Sequence, residues 1–225
     1  KSTHPDMLIG IKSKNIKDTF KLHHISFFIK DKLPKHINLD NCIYVVSRAI
    51  PAHLLKGIDI VYVGKFDFLD SMNFSALYKD GAIYLSNYQE EEQDIINDLF
   101  HEIAHSNEHV HSDLLYSDGR IIKEFLGKRK KIFYLIKAEG LTPPESLQKE
   151  IDFTNEIDDY LYDELGYGLV SSLSNGLFVS PYSITSMREY FATGFEEYFS
   201  GNKKNLKKIC PVLYSKIDEL NDLEG

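Results

Sequence analysis

Two histidines and a glutamate stand together at His101-Glu102-Ile103-Ala104-His105, an HExxH string. Residues four apart on a helix are near neighbours on one face, so the two imidazoles can converge on one ion at about 2 Å. Glu102, between them, can reach an attacking water without crowding the ion, and so serve as general base. The string needs a helix, and its surroundings predict one. Ile95, Ile96, Leu99, Phe100, Ile103 and Ala104 recur at helical spacing. Glu90, Glu91, Glu92 and Asp94 crowd the start, where the helix dipole favours negative charge. Asn97, His101, His105 and His109 then form a polar line on a different face from the apolar stripe. The expected chemistry is that of a peptidase holding one zinc ion. The bland alternative is a solvated polar helix face.

A catalytic zinc takes three protein ligands and keeps one position open. The near candidate is His111, since positions 101, 105 and 111 reproduce the histidine spacing of the metzincin peptidases. Glu108, however, stands where that pattern has the glycine that turns the chain sharply. The distant candidate is Glu189, in Ser186-Met187-Arg188-Glu189-Tyr190-Phe191-Ala192. On local pattern, Ser186-x-x-Glu189 is equally a capping box, with the glutamate returning to the helix start. Glu124, Glu196 and Glu197 are lesser alternatives. His109 reads as a surface histidine, or one behind the metal ligands, and not as a ligand. Met187, Phe191, Phe195, Tyr198 and Phe199 form an aromatic stripe expected to be core.

The stretch from Tyr182 to Phe195 resembles the zinc-ligand helix of the anthrax lethal factor-like metallopeptidases, a family that includes the clostridial Pro-Pro endopeptidases. The resemblance rests on a Tyr seven residues before a Glu that is followed by two aromatics and Ala, here Tyr182 and Glu189-Tyr190-Phe191-Ala192. Lys207 to Tyr214 is similar to the end of the Pro-Pro endopeptidases. In all, the likeness covers roughly residues 58–111 and 178–220. It implies a zincin-like metallopeptidase domain with His101, His105 and Glu189 as zinc ligands and Tyr182 as the oxyanion donor. It further implies Glu108 as a carboxylate behind a liganding histidine, and an edge strand over Gly81, Ala82, Ile83 and Tyr84 to Ser86 that pairs with a peptide substrate. A secreted bacterial protein is implied as well. Two departures stand out: a long insertion over 113–165, which could cap the cleft, and Thr193 where many members carry another acid.

The remaining sequence frames this site. With 225 residues, 43% hydrophobic and 27% charged, the chain can build one substantial core. One domain is expected, 1–225, with an N-terminal lobe over about 1–111 and a C-terminal lobe over about 112–225. The net charge of −8 disfavours nucleic acid or an anionic membrane as partner. The partner expected is a peptide or protein substrate; oligomeric state is not legible. The basic runs Lys128-Arg129-Lys130-Lys131 and Lys203-Lys204 with Lys207-Lys208 read as solvated faces. Cys42 and Cys210 lack motif spacing and read as free thiols. No apolar run reaches the length of a membrane span, and no signal peptide is visible in the first 21 residues.

The predicted class is α+β, with a small twisted sheet in the N-terminal half, helices in the C-terminal half and the cleft between. Weak helical spacing runs through Ile9, Ile16 and Phe20. Strands are expected at 25–29, 58–63 and 81–86. Residues 42–46 fit either a strand or part of a helix, and 50–57 look helical. The 112–165 stretch is expected to be mainly helical, broken at Gly127, Gly140 and Pro143-Pro144. A loop is expected over 166–181, and helices over 186–200 and after Pro211. A zinc-containing module that binds peptides without cutting them is the alternative of a different class, and the intact Glu102 argues against it.

Overall fold

The computed structural model describes residues 20–223, so the spacing at Ile9 and Ile16 lies outside the described residues. The architecture is α+β. Strands β1 (Phe20–Leu22), β2 (Ile25–Ile29), β3 (Ile60–Gly64), β4 (Ala76–Lys79) and β5 (Ala82–Ser86) form one mixed sheet in the order β1-β2-β3-β5-β4. The central strands β2, β3 and β5 run parallel, and each outer strand is antiparallel to its neighbour. Period-two alternation sets the faces. Val61, Val63, Ile83 and Leu85 are buried, while Tyr62 and Tyr84 are half-buried on the other face and stack at 5.3 Å.

The segment 42–46 is helical, inside α1 (Leu39–Ala49). Its β-branched residues lose to periodicity: Leu39, Cys42, Ile43 and Val46 are buried at helical spacing, and Asn38 caps the first turn by accepting Asn41 N–H. Helix α2 (Asp67–Met72) and β4 lie between the expected strands at 58–63 and 81–86, where the sequence reading gives no element. Asp80 and Gly81 carry φ of 49° and 82°, the left-handed pair that a two-residue hairpin turn requires. That turn brings β4 back along β5, so the expectation of an edge strand at 81–86 is corrected. Gly81 belongs to the turn. Ala82, Ile83 and Tyr84 sit between two strands, and among the described residues β4 is the edge on that side, opposite β1.

Helix α3 (Glu92–Val110) packs against α1 and β4. It opens with a reciprocal capping box between Glu91 and Asp94. The rest is mostly helical: α4 (Ser112–Tyr116), α5 (Arg120–Ala138), α6 (Asn155–Asp159), α7 (Tyr167–Ser174), α8 (Met187–Phe199), α9 (Lys203–Ile209) and α10 (Pro211–Asn221). Helix α7 occupies part of the region expected to be loop. Gly127 does not break α5. A mid-helix glycine costs about 1 kcal/mol, and the buried stripe Ile121, Phe125, Ile132, Phe133 and Ile136 outweighs it. Gly140, at φ 80°, does end that run.

One continuous core runs from Leu22 to Leu220, and the 113–165 stretch contributes Leu115, Phe125, Ile132, Ile157 and Leu161 to it. The stretch read as an insertion is therefore part of the core. The aromatic stripe of α8 is core as expected: Phe191 and Phe195 are fully buried, and only Phe199 is half-buried. Gly194 allows α10 to lie close, since a Cβ there would stand 2.4 Å from Leu213. Glu124 on α5 accepts Tyr190 O–H at 2.8 Å and the N–H groups of Val212 and Leu213 at 2.9 and 3.0 Å. It thus ties α5, α8 and the start of α10 together and is no ligand candidate.

The reading of 128–131 as solvated is half wrong. Lys130 and Lys131 are exposed, but Lys128 and Arg129 are buried. Lys128 donates to the carbonyls of Leu177 and Ile209. Arg129 donates to Glu150 C=O at 2.7 Å and lies 5.2 Å from the centre of the Phe125 ring. Burial pulls its pKa down to about 10. Lys203, Lys204, Lys207 and Lys208 are solvated. Cys42 and Cys210 are free and buried. Among the described residues, no helix is long and apolar enough to cross a membrane.

Candidate metal centre

Helices α3 and α8 pack side by side and bring the distant residues together. His101, His105 and Glu189 each point one donor atom into a common space, and these atoms all lie within 4.8 Å of one another. Glu189 Oε2 is 3.0 Å from His101 Nε2, and Oε1 is 3.6 Å from His105 Nε2. The capping alternative is half realised. Ser186 accepts Glu189 N–H at 3.1 Å and starts α8, but the Glu189 side chain turns to the histidines instead of returning to the helix start. Glu189 Oε2 is buried and lacks a partner in hydrogen-bond geometry. A buried carboxylate whose two oxygens face two imidazole nitrogens, one of those oxygens lacking a hydrogen bond, is what a divalent cation would satisfy, and two imidazoles with one carboxylate are a donor set that suits zinc.

The outer partners differ between the two histidines. His101 Nδ1 is hydrogen-bonded to Glu196, two turns beyond Glu189 on the same face of α8. Burial opposes charge on His101, but Glu189 and Glu196 outweigh it and push its pKa up to about 10 in the absence of an ion. Burial raises Glu189 in turn, and the close approach and charge of His101, with the charges of His105 and Arg188, bring it below its ordinary value. His105 Nδ1 faces Arg188 Nε at 3.1 Å and Glu108 Oε2 at 3.5 Å. Glu108 also accepts Tyr116 O–H and lies 3.5 Å from Arg188 Nε. Thr193 spends its hydroxyl on Glu189 C=O at 2.8 Å and does not reach a histidine.

Glu102 is buried, and its Oε2 accepts the N–H of Tyr78 from edge strand β4. Tyr182 sits in a 3-10 turn, Tyr182–Ile184, just before α8, with its ring 6.4 Å from that of His101. Burial, with the charge of Glu189, raises its phenol well above the ordinary value, so the hydroxyl keeps its proton and can donate. Asp98 lies one turn before Glu102. Burial chiefly pushes its pKa up to about 6, although Ser75 and Gln89 both donate to it.

His111 is placed elsewhere. It ends α3 and lines a small pocket with His53, Gly57 and Ser106. Burial and the nearby His53 lower its pKa. His109 is exposed.

A cleft of about 1160 Å³ opens beside the three donors, lined by β4, α3, the start of α6 and α8. Sequence reasoning missed its Asp152 to Asp158 wall, the outer roles of Glu196 and Arg188, and β4 as the edge. The seven-residue spacing of Glu189 and Glu196, and the Asp80-Gly81 hairpin signal, could have revealed two of these. No protein-family model, no curated protein and no solved structure matches this chain.

Proposed function

We propose that this protein is a zinc-dependent endopeptidase with a zincin-like active site. His101, His105 and Glu189 would hold one zinc ion. The observation that carries the reading is the convergence of those three donors around the unpartnered Glu189 Oε2, with Glu102 beside them in an open cleft. The resemblance of 182–195 to lethal factor-like metallopeptidases supports the same ligand set.

When bound, zinc supplies Lewis acidity and lowers the pKa of water at its open position. Glu102 takes the proton of the attacking water and later hands it to the leaving amine. The Tyr78 N–H holds one oxygen of that carboxylate and leaves the other free for this work. Tyr182 donates to the oxyanion that develops on the scissile carbonyl. Glu196 and Glu108 fix the two imidazoles from behind.

The peptide pairs with β4. Ser86 N–H donates to Ser75 C=O, and the register opposes Ala76 to Leu85. By the alternation of an antiparallel ladder, Ala76 and Tyr78 turn their main-chain groups away from β5. Glu102 takes the Tyr78 N–H, and the remaining outward groups are free to add a strand.

Elemental analysis and cleavage of a randomised peptide library test this directly. The wild type is expected to hold one zinc and to cut. Glu102→Gln is expected to keep the zinc and to lose cleavage by about 10²–10⁴-fold. A wild type that binds no zinc, or a Glu102→Gln variant that cuts as fast, ends the proposal. Zinc and peptide binding without any cutting would instead favour the non-catalytic module.

A further inference from the structure

Each histidine of the candidate metal centre has a carboxylate behind it. His101 Nδ1 is hydrogen-bonded to Glu196, and Glu108 Oε2 stands 3.5 Å from His105 Nδ1. The third donor lacks such a partner: Glu189 Oε2 is buried without a hydrogen bond among the described residues. A carboxylate that ligates a metal is itself ordinarily hydrogen-bonded, because a fixed donor sets its orientation.

A donor of the right kind stands nearby. Two phenol hydroxyls, those of Tyr160 and Tyr162, are also buried without a hydrogen bond. Such groups are costly to keep, so each calls for a reason. Both belong to the π-helical turn Tyr160–Glu164 that continues α6, closed by Leu165 N–H donating to Tyr160 C=O at 3.0 Å. Single π-turns are rare and gather at functional sites.

Position separates the two phenols. Asp158 lines the cleft together with Tyr182 and Glu189. Tyr162, four residues on, follows it on the same side of the helix. Burial, then the charges of Asp158, Tyr167 and Glu189, pushes the Tyr162 phenol up to about 12. Burial likewise raises Tyr182, and Tyr162 is among the neighbours that add to it. For Tyr160, burial is joined by the charge of Glu164 instead. Tyr162 thus shares a buried group with Glu189 and Tyr182, and at neutral pH it keeps the proton that a carboxylate can accept.

We infer that Tyr162 is the positioning residue behind Glu189, its hydroxyl donating to the carboxylate oxygen that the metal does not engage. It holds the third ligand as Glu196 and Glu108 hold the histidines, and it touches neither substrate nor metal. Its own segment lies between the two stretches that carry the family resemblance, so this support belongs to this chain. The inference rests on the proposed zinc site.

Tyr162→Phe removes the hydroxyl and keeps the ring. Competition with a chelator on the full chain should show zinc affinity falling by about 10–100-fold. The metal-free melting temperature should hold or rise, because an unsatisfied buried group is removed and no hydrogen bond is lost. Tyr160→Phe should leave zinc affinity within about threefold. In a Glu189→Ala background Tyr162→Phe should cost nothing further, since its partner is gone. A Tyr162→Phe variant that binds zinc as tightly as wild type, or one that loses equally with and without Glu189, overturns the inference and leaves the zinc site standing. A loss of affinity matched by a lower metal-free melting temperature assigns Tyr162 to the fold and overturns it as well. A wild type that binds no zinc ends both readings. If zinc binding depends on Tyr162 and wild type cuts no peptide, the hydrolase reading falls and this one stands.

Discussion

His101 and His105 lie one turn apart on α3 and share Glu189, yet α8 surrounds them with different chemistry. His101 is enclosed by two carboxylates, Glu189 at one ring nitrogen and Glu196 at the other. His105 meets Glu189 on one side, while its Nδ1 faces a guanidinium N–H as well as Glu108. A histidine that binds metal through Nε2 carries its proton on Nδ1 and wants an acceptor there. Glu196 is such an acceptor. Arg188, a donor, is not, and Glu108 must take its place when Nε2 is engaged. Two side chains identical in sequence are therefore unequal in preorganisation for a metal, and Glu196 would do more for its histidine than Arg188 for the other.

What the two histidines share should show the largest effect. Glu189→Ala is expected to weaken zinc binding well beyond the roughly 10–100-fold typical of losing an outer partner, and His111→Ala to leave it unchanged. Competition with a chelator measures both. A strong loss in His111→Ala would transfer the third ligand to that residue. Next comes Glu196→Gln, expected to cost about 10–100-fold in zinc affinity while leaving the metal-free melting temperature near neutral pH less affected than the affinity. An unchanged affinity would erase the asymmetry. Arg188→Met should alter zinc affinity by less than about threefold, because the displaced donor is not the acceptor that Nδ1 needs. A loss equal to that of Glu196→Gln would make the two sides equivalent.

The smallest effect is on the metal-free protein. His101 has its folded pKa raised from 6.5 to about 10. The resulting stabilisation is fully present below pH 6.5 and is lost as pH rises toward 10. The metal-free melting temperature should fall over that window, less steeply in Glu196→Gln, and calorimetry with a chelator present reads it. A metal-free curve that rises over the same window would contradict the charged His101.

Legibility followed the range of the interaction. The α3 site was readable because HExxH, its apolar stripe and its acidic start are all local to about five turns of one helix. On local pattern the third donor was readable only as a choice between His111 and Glu189, and the resemblance alone favoured Glu189, because 84 positions separate Glu189 from His105 and local pattern allowed a cap. The edge strand was misassigned because 81–86 has the stronger strand pattern, whereas exposure at an edge depends on what pairs beyond it. Lys128 and Arg129 were misread because a run of four cations averages over faces, and a helix buries some of them and leaves the others in water.

By itself the sequence determined an α+β chain with a helix that presents two imidazoles and a glutamate on one side, since helical periodicity requires nothing beyond nearest turns. The tertiary structure alone decided which remote carboxylate meets them, which strand lies open to the cleft and which residues line its far wall. Those depend on the packing of α8 against α3 and on the hydrogen bonds that hold the carbonyls of Glu150 and Ile151, from Arg129 and from the Met187 N–H at the start of α8. No local spacing encodes a contact between segments brought together only when the core closes.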